Sequence, residues 1–489
     1  MTTNRSMTLL LDKIAELGGK GMKEEDIVYE GTLLRLPVKY QGHLELAIKD
    51  LTTKLKEENE PSDFSRTFKY RPWDGARNAF NALKKGFGLV SGKTIHTMFG
   101  DIRPEYIQVP TSVYETEEVP WGQFTLPGLE NTTIVFGATR DPEMGQVFQM
   151  GVTTPRKNRF VVEGMFKMVE MELQQNSIYK GKAIDGAGMP NFIDLSGVHK
   201  DKVVYSKQVR ADLEAHVWGF IQHSDWLINR RGMSGKRAIL LHGTYGTGKS
   251  LTNNLTAQVA TENGWTTVLV RPGKDDFFEA LQTARLYQPA VLLFEDADVL
   301  ASEGDATTLS KLLDAFDGIT AKSTRLMVVM TTNHENKLDD GMRRPGRIDQ
   351  KIHIGPLDRE GVEQLVRIVL GDTCGEVNFD EVFDSCAGYA PAFIVEAATR
   401  AIRYADVRTN FTGDVLIETE DMVLAAVSLR DQYSWMQGGV DRPNRPAIEE
   451  ALENAVSHGV ARLVPAASEE PHSKVWNKDS IGLFQNQLN

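Results

Sequence analysis

Apolar positions first recur at helical spacing in Met7, Leu10, Leu11, Ile14 and Leu17. Gly18-Gly19 closes that run where a left-handed cap is least costly, predicting a short helix over 7–17. Leu44, Ile48, Leu51 and Leu55 form a second stripe with Lys and Glu opposite, predicting a helix over about 43–57. From about Tyr106 to Val162 the pattern shortens to β-branched and aromatic runs, Val119–Leu126, Thr132–Phe136, Gln146–Val152 and Arg159–Val162. Gly and Pro punctuate them, so the segment reads as a small β-rich domain. A helix is expected from Met165 to about Gln175, then a linker through Gly181, Gly186 and Gly188 to Pro190.

Beyond about Val203 helical patterns alternate with strands that are apolar throughout: Ala238–Leu241, Thr266–Val270, Ala290–Phe294 and Leu326–Met330. Such strands belong to a parallel sheet covered on both faces. After Pro356 the chain turns helical, over Glu360–Leu370 and Ala392–Asp406, as a separate lid would. One more amphipathic helix, Ala447–Leu463, precedes a polar tail with Trp476 and Phe484. The fold class expected is α/β, a parallel-sheet domain with a helical lid, preceded by a helical segment and a β-rich domain. The boundaries read as 1–60, 61–195, 196–356 (the sheet), 357–432 (the lid) and 433–489.

Length and composition agree with several domains in an ordinary globular chain: 489 residues, 41% apolar, 25% charged. A formal charge of −12 argues against a basic coat for nucleic acid. Cys374 and Cys386 sit in no metal-ligand or redox spacing, which fits a reducing, cytoplasmic setting. No stretch approaches the roughly 20 apolar residues of a membrane-spanning helix, so no membrane insertion is expected.

The chemistry concentrates in the sheet region. Gly243-Thr244-Tyr245-Gly246-Thr247-Gly248-Lys249-Ser250 follows a buried strand and opens a helix with Leu251 next, the context of a phosphate-binding loop. Glycines let the backbone wrap phosphate, successive N–H groups and the helix N-terminus face the anion, Lys249 bridges the β and γ phosphates, and Ser250 ligates Mg²⁺. The strand 290–294 runs into Glu295-Asp296-Ala297-Asp298, delivering carboxylates to the edge where open α/β sheets bind ligands. One is suited to the Mg²⁺ shell and the other to deprotonating water; which of Glu295 and Asp296 is the base stays open. The next strand delivers Asn333 to the same edge, to position the lytic water. Downstream lies the stiff basic turn Arg343-Arg344-Pro345-Gly346-Arg347, whose arginines suit the phosphoryl group bound by an adjacent subunit.

In order and spacing these elements resemble the AAA family of AAA+ ATPases over about Val203–Arg430. The resemblance implies ATP and Mg²⁺ as cofactors, Lys249 and Ser250 as Walker A residues, Glu295 and Asp296 as the Walker B pair and Asn333 as sensor 1. It also implies Arg344 and Arg347 as arginine fingers, and a homo-oligomeric, usually hexameric, ring. The Glu-Asp order is similar to that of the branch of the mitochondrial Rieske-protein translocase. Arg271-Pro272-Gly273-Lys274-Asp275-Asp276 stands where relatives carry an aromatic-glycine pore loop, and Ala390-Pro391-Ala392 replaces the usual Gly-Ala-Asp of the lid.

Two kinds of work are compatible with such an engine. One is remodelling or translocation of a protein partner received by the N-terminal half. The alternative is a nucleic-acid motor, for which Arg66, Phe68, Lys69, Tyr70, Arg71, Trp73, Arg77, Phe80, Lys84, Lys85 and Phe87 interleave basic and aromatic groups. A slow nucleotide-switched scaffold is the third reading.

Overall fold

A computed structural model describes residues 28–30, 33–35, 44–88, 94–98, 100–103, 105–129, 131–271, 274–298, 315–316, 318–319, 324–335 and 347–436. The helices expected at 7–17 and 447–463 lie outside them. Residues up to Ile368, together with Gly388–Ala392, form one compact unit; Val369–Ala387 and the chain from Phe393 onward form a second.

In the first unit, two three-residue strands, β1 (Val28–Glu30) and β2 (Leu33–Arg35), pair within the span read as purely helical. They precede α1 (Leu44–Asn59). β3 (Pro61–Phe68) then leads a five-stranded antiparallel sheet. Its other strands are β6 (Glu105–Pro110), β7 (Thr116–Phe124), β8 (Thr133–Asp141) and β9 (Gly145–Pro155), in the order β3-β9-β8-β7-β6. A separate ribbon, β4 (Ile95–Thr97) with β5 (Gly100–Ile102), stands beside them in sequence. Helices α2 (Pro72–Phe87) and α3 (Arg159–Asn176) complete this part. Phe124, Phe136 and Phe148 stack edge to face at 4.5 and 5.3 Å in its core. A Cβ on Gly75 would lie 2.1 Å from the Phe148 ring, so glycine lets α2 cross β9 closely.

The strand expected at Arg159–Val162 is the first turn of α3. Val162, Met165, Phe166 and Val169 bury one helical stripe there, and packing overrides β-branched propensity. The polar β3 escaped notice because, as an edge strand, most of its alternate residues face solvent. Several of the basic and aromatic groups of 66–87 are engaged with protein. Arg77 makes a two-pronged bond to Glu117 at 3.0 and 2.9 Å, Lys85 bonds Glu172 at 2.6 Å, and Arg66 lies 3.7 Å from Glu170. Phe68 is buried, and Trp73, Phe80 and Phe87 pack on the core.

The second sheet is parallel throughout, in the order β10-β12-β13-β14-β11-β15. Its members are β10 (Ala183–Asp185), β11 (Lys236–His242), β12 (Thr266–Val270), β13 (Ala290–Phe294), β14 (Leu326–Thr332) and β15 (Gln350–His353). Although β10 falls inside the 61–195 span, it pairs with β12 and extends this sheet. Every residue of β12, β13 and β14 is buried. On one face, alternate strand residues meet α7 (Phe277–Leu286) through Phe277, Ala280, Leu281 and Ala284. On the other they meet α5 (Gly219–Arg231) and α6 (Lys249–Glu262). A short helix α4 (Lys207–Leu213) and a π-turn at Glu214–Trp218 lead into α5.

One guanidinium joins the two sheets. Arg71, fully buried, donates from Nε to Thr283 Oγ1 at 3.0 Å, from Nη1 to the Gln146 carbonyl at 3.1 Å and from Nη2 to the Glu279 carbonyl at 2.8 Å. Its backbone N–H donates to the Tyr287 hydroxyl at 2.9 Å.

Helix α8 (Arg359–Leu370) follows β15. The second unit contains α9 (Phe379–Ser385), most of α10 (Pro391–Arg408), α11 (Thr419–Ser428) and α12 (Arg430–Met436). Arg408 ties α10 to the start of α11, reaching Asp421 and Glu418, each at 2.9 Å. Cys374 and Cys386 are free thiols. Among the described residues no helix is long and apolar enough to cross a membrane.

Candidate functional site

The site sits where β11, β13 and β14 end together, because a parallel register delivers their C-termini to one edge: His242 opposite Thr332, and Phe294 opposite Met330. The loop 243–248 leaves β11 and enters α6. A Cβ on Gly243 would lie 2.1 Å from the Ile354 carbonyl, so only glycine fits beside the chain leaving β15. Gly248 takes φ 96°, a left-handed turn that aims the following N–H groups along the helix start.

Lys249 is only 6% exposed. Its ammonium donates to the carbonyls of Gly243 at 2.9 Å and Thr244 at 2.7 Å, while Thr247 Oγ1 donates to Thr244 O at 2.9 Å. Burial lowers the lysine pKa, and the charges of Asp296 and Asp298 oppose that shift. Thr244 and Gly246 are exposed, as are Tyr245 and Leu251 at 49% and 42%.

Glu295 is half-buried, and burial raises its carboxyl pKa; a hydrogen bond from Ser250 works against that shift, and Asp296 adds to it. Ser250 and Glu295 therefore form one oxygen pair at the mouth of the loop. Asp296 is exposed and held at φ 47°, a left-handed conformation uncommon for any residue but glycine. Its N–H donates to Thr331 Oγ1 at 3.0 Å, and its Oδ1 accepts from Asn333 Nδ2 at 2.9 Å. Glu295, Asp296, Asn333 and Lys249, read from sequence as one site, do meet at one edge.

Several participants carried no individual role in the sequence. Asp298 is buried and accepts from Thr332 Oγ1 at 2.9 Å and from Asn333 N at 3.1 Å, bracing the turn after β14. The alternation of the acidic run was the available signal, since residue 298 follows two positions after 296. His242 donates through Nδ1 to Glu335 at 3.0 Å, and its pKa is pushed down to about 4, chiefly by burial, so the imidazole is neutral. Glu335 also bonds Lys351. Tyr245 Oη and His334 Nε2 share a hydrogen bond of 3.0 Å.

Arg344 lies outside the described residues. Arg347 is half-buried just before β15. Asp349 is clamped to Ala238 by two 2.8 Å bonds, four residues before His242 at the end of β11. At about 3.3 Å per residue, that anchor lies about 13 Å from the phosphate-loop edge.

A glycine loop between buried parallel strand and helix, a buried lysine and carboxylates on the adjoining strand define a P-loop nucleotide-binding domain. Residues 239–356 match the family model described as "ATPase family associated with various cellular activities (AAA)", so that stretch of the chain is similar to an AAA domain. It is 26% identical over 260 residues to the ATPase family gene 2 protein of Schizosaccharomyces pombe, covering 46% of this chain and 32% of that one. It is 30% identical over 177 residues to a probable mitochondrial chaperone bcs1 of the same yeast, covering 33% and 38%. To the ATP-dependent zinc metalloprotease FtsH of Mycoplasma mobile it is 26% identical over 338 residues, covering 61% and 46%. The chain thus spans less than half the length of each of these relatives.

Proposed function

We propose that this chain binds ATP with Mg²⁺ and hydrolyses it in a ring of identical subunits, coupling turnover to remodelling or translocation of a protein partner. The observation that carries the reading is the meeting of three pairs at one sheet edge: Lys249 with its loop carbonyls, Ser250 with Glu295, and Asp296 with Asn333.

These residues fit the ligands. A buried ammonium bonded to carbonyls of its own loop is suited to exchange those oxygens for phosphate oxygens. The Ser250 and Glu295 oxygens are the hard donors that Mg²⁺ takes; when bound, the ion would supply charge neutralisation on the phosphates. With Glu295 committed to Ser250, Asp296 is the carboxylate left to accept a proton from water, and Asn333 fixes its orientation. Thr331 and Asp298 hold that pair in place.

The stiff basic turn before β15 supplies Arg344 and Arg347 as the groups that would act on a neighbour's phosphate. The antiparallel domain, anchored to α7 through Arg71, is the candidate receiver of a protein client. A cytoplasmic setting agrees with the free thiols.

Phosphate release by the purified chain, with particle images in ATP of the Asp296→Asn variant, tests this. The expected outcome is turnover by the parent and closed rings of the variant. A chain that stays monomeric and releases no phosphate refutes the reading. Single-stranded DNA is expected to leave turnover unchanged.

A further inference from the structure

Three consecutive side chains after β14 reach three different elements. Asn333 bonds Asp296, His334 bonds Tyr245, and Glu335 bonds His242 and Lys351. The nucleotide chemistry above uses only the first link, and of the other two the middle one reaches the phosphate loop itself. Tyr245 is the third residue of the phosphate loop and is half exposed, so packing does not hold its ring. It nevertheless stands edge to face on His334, with ring centroids 5.7 Å apart and planes at 73°, and its hydroxyl meets Nε2 at 3.0 Å.

The neighbouring loop residues give this contact a mechanical meaning. Gly246 and Gly248 both take left-handed φ, at 78° and 96°, so the loop backbone on either side of Thr247 has few steric restraints. Tyr245 immediately precedes that flexible stretch, and His334 immediately follows Asn333. A bond between them fixes the distance from the phosphate-holding backbone to the amide beside Asp296. Neither residue needs to touch the reacting atoms to do so.

We propose that Tyr245 and His334 are a positioning pair that registers the phosphate loop against Asn333, so that phosphate and lytic water are held in one frame during turnover. This rests on the ATPase reading and adds to it a specific control of turnover rather than of affinity. Misplacement by about 1 Å costs about a hundredfold in rate where reacting groups must align, so a single tether has leverage.

The test uses the full-length chain with Tyr245→Phe, His334→Ala, the double variant and His334→Gln, whose amide reaches the place of Nε2. Steady-state turnover gives kcat and KM for ATP, and a fluorescent non-hydrolysable ATP analogue gives Kd. Each of the first two variants is expected to lose about tenfold in kcat, the scale of one positioning hydrogen bond, with Kd held within about twofold. The double variant loses no more than either single, and His334→Gln recovers most of the alanine loss. Multiplied losses in the double variant, a loss in Kd with kcat retained, or unchanged kcat in Tyr245→Phe would each overturn the pairing. A parent chain that neither binds nor hydrolyses ATP overturns the ATPase reading and this inference together, whereas an active parent with an unaffected Tyr245→Phe overturns the inference alone. Should His334→Ala fail to fold, Tyr245→Phe decides, since its half-exposed ring keeps its packing.

Discussion

Lys249 and Arg71 are both buried cations, at 6% and 0% exposure, and they are satisfied in opposite ways. The partners of Lys249 are carbonyls five and six residues away in its own loop. Those of Arg71 lie more than seventy and more than two hundred residues away, on β9 and α7. A cation held by its own loop can change partners without moving the fold, whereas one held by distant elements cannot. The first arrangement suits a ligand-binding group and the second a structural bolt. Buried charge alone therefore does not mark a functional site; the sequence distance to its partners discriminates.

If that contrast holds, Lys249→Ala removes binding and leaves folding intact. Two charge-assisted bonds to phosphate are worth about a thousandfold in affinity. Titration of the fluorescent ATP analogue measures this, and an unchanged Kd would end the assignment of Lys249. Asp296→Asn sharpens the same side of the comparison: a general base contributes about a hundredfold or more to kcat, while ATP affinity should stay within about twofold. If Glu295→Gln rather than Asp296→Asn selectively stops turnover with binding preserved, the two carboxylates exchange roles.

These two sides were unequally legible beforehand. The residues proposed for ATP lie in short contiguous runs, and the buried strands at 266–270 and 290–294 match their apolar runs residue for residue. The braces were harder to read. Asp298 looked like one more acid in a turn, and Thr331 like the polar end of a strand, because a hydrogen-bond partner on an adjacent strand leaves no local pattern. In the sequence Arg71 stands among interleaved basic and aromatic residues, a pattern that also suits nucleic acid. Its burial depends on α7, whose partner residues begin at Glu279, and no periodicity spans that separation. Strand β3 hid for a different reason: an edge strand with alternate residues in water has no apolar run.

Arg71→Met tests the structural side. The methionine keeps much of the stem volume but removes the charged donor to the Gln146 carbonyl and leaves the Thr283 hydroxyl and the Glu279 carbonyl with their mutual bond of 2.9 Å, a loss of about 2–4 kcal/mol for the lost charge-assisted bonds. The denaturant midpoint should fall while the analogue Kd of the folded protein stays within about twofold. A variant as stable as the parent, or one with selectively weakened nucleotide binding, would dissolve the contrast with Lys249.

The smallest effect comes from Asp74, three residues further along α2. Its buried carboxyl accepts from Ser177 Oγ at 2.6 Å, Ile178 N at 3.0 Å and Asn78 Nδ2 at 2.7 Å. Burial nevertheless raises its pKa to about 6 from an ordinary 3.8, with the hydrogen bonds opposing the shift. The folded state therefore holds the proton more tightly than the unfolded chain does, and folding stability declines as pH rises through the window from about 4 to about 6. The contribution is fully present below that window and gone above it. Asp74→Asn keeps the shape, with its amide able to donate to Ser177, and carries no titration. The parent should therefore lose about 2–3 kcal/mol relative to Asp74→Asn between pH 4 and pH 7. Paired urea denaturations across that range measure the gap, and a gap independent of pH would mean that Asp74 is ionised throughout and that this junction is held by charge on both sides.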